Sequence, residues 1–92
     1  MSFHEQTKEQ IAKILQEAFK PSFLEVINDS ASHAGHASAR ESGGGHFKII
    51  MTSELFTGIS PVKRHRMVYE NLNNLMDSHI HAISMTLSAP GE

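Results

Sequence analysis

The hydrophobic period of the chain changes at Pro21, and that change calls for a mixed architecture. Before it, Ile11, Ile14, Leu15 and Ala18 recur at helical spacing, with Lys8, Glu9, Lys13 and Glu17 elsewhere on the wheel. Thr7 with Gln10 fits a capping box, and Ser2 with Glu5 offers a competing start. Proline lacks an N–H and disfavours helical geometry in the residue before it, so the helix is expected over about residues 5–19. Phe23-Leu24-Glu25-Val26-Ile27 follows at once. It is a β-rich run closed by Asn28-Asp29-Ser30 and reads as a strand.

Residues 30–45 are small, polar and glycine-rich, ending in Gly43-Gly44-Gly45, and are expected to form a long flexible loop. Phe47–Met51 gives a second strand, most simply the antiparallel partner of the first. Ser60-Pro61 opens a helix, with a capping oxygen and then proline at the first helical position. Val62, His65, Val68, Tyr69, Leu72, Leu75 and Met76 make one broad apolar face through about residue 77. His79–Met85 returns as the last strand. The expected fold class is α+β in the order α-β-β-α-β. It is one domain over residues 1–92, with its core at about 5–87 and a three-stranded sheet covered on one face by two helices.

The chain contains no cysteine, which excludes a disulfide scaffold, a thiolate nucleophile and an all-cysteine metal site. A formal charge of −2 argues against a protein held to nucleic acid by its global field. The apolar runs are far shorter than a membrane span, and no apolar signal core precedes the first helix, so a cytoplasmic protein is expected, with an organellar one as the alternative. No nucleophile, carboxylate pair or cofactor fingerprint is recognisable, so no enzyme is expected. Seven histidines in 92 residues are the compositional oddity.

Each candidate has a plain reading beside the functional one. His65 lies near the middle of the apolar stripe of the second helix and is expected to be buried and hydrogen-bonded across the core. Lys63, Arg64 and Arg66 could meet phosphates or an acidic partner; charge patterning alone reads them as solvated surface. His33-Ala34-Gly35-His36 could bring two imidazoles to one metal, against the default of a solvated loop. Gly43–Gly45 lacks the lysine and hydroxyl residue of a phosphate loop and is read as a connection. His81 lies at the start of the last strand. The two-residue period puts Ile83, Met85 and Leu87 on its side, so the residues by themselves favour a rim or core histidine.

Phe56-x-Gly58, five residues, then Arg64-His65-Arg66-x-Val68 resembles the signature block of BolA-like proteins. The resemblance extends through Phe23-Leu24-Glu25-Val26, His33, His46-Phe47-Lys48 and His81-Ala82, covering roughly residues 5–87. It implies a fold like class II KH domains. It also implies partnership with a monothiol glutaredoxin around a shared 2Fe–2S cluster, with glutathione as a further ligand. Such a chain would be a monomer alone and a heterodimer with its partner. The family's cluster-ligand histidine maps onto His81 and its loop ligand onto His33, with His36 as a neighbouring alternative. Some family members control transcription, so the alternative is a nucleic-acid-binding module using Lys63, Arg64 and Arg66. The chain departs from the pattern at residues 89–92, where many relatives carry an aromatic-containing final helix, and in its extra His36 and triple glycine.

Overall fold

A computed structural model describes residues 2–30 and 45–92 of the chain. Helix α1 spans Phe3–Phe19. It begins at the earlier of the two possible starts, because the Ser2 hydroxyl accepts the Glu5 N–H at 3.1 Å. Thr7 lies inside the helix, fully buried, its hydroxyl donating to the Phe3 carbonyl. Lys20 closes the helix in the left-handed region (φ 45°), its N–H reaching the Gln16 carbonyl, and Pro21 prevents continuation.

Strand β1 (Phe23–Asn28) pairs antiparallel with β2 (Gly45–Thr52), Val26 opposite Ile49. A short 3-10 turn, Glu54–Phe56, then leads to helix α2, Pro61–Met76. Ser53 joins this corner to α1: its buried hydroxyl donates to the Phe19 carbonyl at 2.8 Å and accepts the Leu55 N–H. The Ser60 hydroxyl caps α2 by accepting the Lys63 N–H, with Pro61 at the first position as expected. Strand β3 (Ile80–Ser88) runs parallel to β2, completing a sheet in the order β1-β2-β3. A parallel pair needs a crossover, and α2 provides it.

Both helices pack on one face of the sheet. Ile11, Leu15 and Phe19 of α1 and Val68, Leu72 and Leu75 of α2 share one core cluster with Val26, Phe47, Ile49 and Met51. Leu24, Ile83, Met85 and Leu87 pack against it from the same face of the sheet.

The expectation for His65 is corrected. The helix forms where expected, but its buried face is Arg64, Val68, Leu72 and Leu75, one position back from the stripe centred on His65. One residue is a turn of about 100°. His65 is exposed, Val62 is 63% exposed and Tyr69 38%. The reason is Arg64, which a hydropathy count assigns to the surface. Its stem is buried while its head makes four hydrogen bonds, so the helix turns inward on a charged residue.

Arg64 is 8% exposed. Its Nε donates to the Ile59 carbonyl at 2.8 Å and its Nη1 to the Leu87 carbonyl at 3.2 Å. Both terminal nitrogens grip the Glu92 carboxylate at 2.7 Å, and the guanidinium lies 5.8 Å from the Phe56 ring centroid. Gly58 supplies the turn between Phe56 and this clamp, at φ 75°, where a side chain is strained.

The Arg64 bond, and then the Ala89 N–H donated to it, lower the Glu92 carboxyl from 4.5 to about 2. The folded state therefore binds this proton less readily than the unfolded chain. The clamp's contribution is complete above pH 4.5 and is lost as pH falls toward about 2. Glu92→Gln should accordingly be less stable than the parent in urea near neutral pH. The gap between the two midpoints should close on acidification through that window; a gap independent of pH would contradict the assignment.

Candidate metal centre

Four described histidines gather where β2 and β3 begin. Gly45 is the hinge of this end. Its N–H donates to the His79 carbonyl at 3.1 Å, and it pairs with Ile80. A Cβ at Gly45 would sit 2.7 Å from the Phe47 ring and 2.8 Å from His4 Nδ1, so a side chain there forces those two rings to shift. His4, at the start of α1, packs edge-on to Phe47, and Phe3 lies 4.9 Å from His79. The His79 ring also shares a 2.7 Å hydrogen bond with the Ser78 hydroxyl.

The register then slips. Gly45 pairs with Ile80, but His46 pairs with Ala82, leaving His81 as one extra residue on β3. This is a β-bulge, which re-aims the side chain it carries. Ile80 is buried, and two-residue alternation from it would make Ala82 buried as well. Instead Ala82 is exposed, and His81 is exposed with its ring against His46. The ring centroids are 5.1 Å apart and the planes are tilted by 47°. The parity argument that placed His81 with Ile83 and Met85 fails at this slip.

His46 is held at both backbone atoms. Its N–H donates to the Ser30 hydroxyl at 3.0 Å, and its carbonyl accepts the Asp29 N–H at 2.8 Å. Ser30 is fixed in turn by its N–H to Asn28 Oδ1, and Asn28 donates to Glu5 at 2.6 Å. The chain thus enters the 31–44 segment from a point tied to α1 and leaves it beside His46. A shallow groove of about 210 Å³ lined by Asp29, His46, Phe47, Ala82, Ile83 and Ser84 opens here.

Of the residues singled out from the sequence, His81 is accessible and neighbours another imidazole. His33 and His36 lie outside the described residues. Arg64 is committed to the clamp, whereas Lys63 and Arg66 are exposed on α2 beside His65, outside the cluster of four histidines. His46 was not marked as a site residue. Its signal, a histidine at the first β2 position after the glycines, becomes legible only once the bulge brings His81 across from it. Among the described residues no three His, Cys, Asp or Glu side chains form a ready-made metal site.

The match to known proteins agrees with the fold. The sequence model of BolA-like proteins matches residues 15–92. The chain belongs to the BolA-like protein family. An uncharacterized protein in the cobS 5′ region of a Sinorhizobium species is 41% identical over 85 residues, 91% of each chain. The DNA-binding transcriptional regulator BolA of Vibrio cholerae is 40% identical over 75 residues, covering 82% of this chain and 67% of that protein. The BolA domain of SufE1 from Arabidopsis thaliana superposes with a TM-score of 0.79 at 35% identity, over 91% of this chain and 92% of that one. The same Arabidopsis protein, SufE-like protein 1, is much longer, and this chain spans 23% of it. BolA-like proteins are regulators and adaptors rather than enzymes.

One consequence of the packing at Gly45 is measurable. Gly45→Ala forces a methyl group into Phe47 and His4, and overpacking of this kind costs about 2 kcal/mol. Urea unfolding should report that loss, and an unchanged midpoint would mean that the start of β2 is looser than its packing implies.

Proposed function

We propose that this chain is an adaptor in iron–sulfur and iron homeostasis that partners a monothiol glutaredoxin and shares a 2Fe–2S cluster with it as cargo. Its relationship to SufE-like and BolA proteins supports the general role. The observation that carries the finer reading is the bulge, which turns His81 out to an exposed position beside His46. With no cysteine in the chain, imidazole is the donor on offer, and it is a known substitute for thiolate on iron. His81 is the principal ligand in this reading and His33 the second. The partner's cysteine and glutathione sulfur hold the other iron. Neutral imidazole ligands leave readily on protonation, which suits transfer better than storage.

The test is anaerobic reconstitution of this chain with a monothiol glutaredoxin and glutathione, read by visible absorption and circular dichroism. His81→Ala should alter the cluster spectrum and make it more labile while the domain stays folded. His33→Ala should do the same more weakly. A spectrally unchanged heterocomplex with His81→Ala removes His81 from the site.

A second reading rests on the exposed Lys63 and Arg66 at the start of α2, and on relatives described as DNA-binding. Arg64 has no part in it, being buried against Glu92. If these two cations meet phosphate, neutralising both should weaken DNA binding and flatten its salt dependence by about two units of slope. An unchanged slope would move the contact elsewhere.

A further inference from the structure

We propose that His46 and His81 form a two-imidazole clip for one divalent ion of the zinc class, held by this chain without any partner. A zinc–nitrogen bond is about 2.0–2.1 Å, which with the radius of the ring puts each centroid about 3.2 Å from the ion. Two such arms meeting at a tetrahedral angle span about 5 Å. The His46 and His81 centroids are 5.1 Å apart. Their planes are tilted by 47° rather than stacked face to face, so rotation about the side-chain bonds is what must bring one nitrogen of each ring onto the ion.

The backbone holds this separation in place. His46 sits in the ladder opposite Ala82, its N–H and carbonyl both bonded to the Asp29–Ser30 turn, and His81 is the adjacent bulged residue. The entropic cost of bringing the two imidazoles together is therefore met by folding, and the second ring binds intramolecularly. Imidazole nitrogen suits zinc, copper and nickel. Zinc takes four ligands, so the clip fills two positions and leaves two for water or another donor, beside the groove bounded by Asp29 and Ser84. Such a site binds and exchanges; it does not hold the fold together.

The clip shares His81 with the proposed cluster site but requires no iron, glutathione or glutaredoxin, so zinc binding by the chain alone tests it apart from the shared cluster. The experiment is a calorimetric titration of the full-length chain with zinc alone, together with ring ¹⁵N spectra of the histidines. At one equivalent of zinc, the ring nitrogens of His46 and His81 should shift together. His46→Gln and His81→Gln, each checked for folding by circular dichroism, should each lose roughly 100-fold in affinity as the chelate is broken. A His33→Gln, His36→Gln double variant should bind zinc as the parent does. The clip is overturned if only one of the two rings responds, if His46→Gln binds at full strength, or if the loop double variant loses the ion. Should the spectra of the unsubstituted chain show no zinc effect while the glutaredoxin cluster still depends on His81, the clip fails and the adaptor reading stands.

Discussion

The ladder between β2 and β3 carries one residue too many on the β3 side, and the placement of the histidines depends on it. Parallel strands joined by a helix bring His46 and His81 together only because the register slips between Gly45 and His46. Without the slip, strict alternation would turn His81 to the side of Ile83, Met85 and Leu87, beneath the helices. With it, Ile80 plugs the core and the next side chain faces out. The slip sits where packing leaves no latitude. Gly45 is pressed between Phe47 and His4, and its N–H is tied to His79. The crowding that disfavours a side chain at Gly45 thus sits at the point from which β3 restarts its alternation.

The opposite end of the sheet is governed by a charge. Arg64 spends its donors on two carbonyls and one carboxylate, joining the turn before α2 to the end of β3 and to Glu92. A buried guanidinium left unpaired would be costly, so the carboxylate partner is part of the requirement. This pairing also explains why the cation is tolerated near the positive end of the α2 dipole, which by itself disfavours it.

Most of the fold was legible because local signals agreed: the helical period ahead of Pro21, the Ser60-Pro61 start and the β-rich runs all form the elements expected of them. Two features escaped for physical reasons. Hydropathy gives the wrong phase for α2 because it counts Val62 and Tyr69 inward and Arg64 outward. The energetics run the other way once the guanidinium finds four acceptor contacts. The exposure of His81 does not follow from the two-residue period alone, because alternation assumes an unbroken ladder and a bulge is set by tertiary packing rather than by local sequence. The Gly43–Gly45 run marked the place without revealing its purpose. Two of those glycines fall outside the described residues, and the third is needed for close packing rather than for a turn.

These corrections bear on what the Phe56-x-Gly58…Arg64-His65-Arg66-x-Val68 block says about the chain. Phe56 and Val68 are fully buried, Gly58 takes the positive φ of the turn, and Arg64 is the clamp. Those four positions are accounted for by folding alone. His65 and Arg66 face outward, next to the exposed Val62 and Tyr69, and folding leaves them unexplained. The block therefore divides into an inward half that locks the corner between β2, α2 and β3 and an outward half open to a partner. Its value as a signature of the fold comes from the first half. Any recognition that it supports must be sought in the second, on a face of α2 apart from the cluster of His4, His46, His79 and His81.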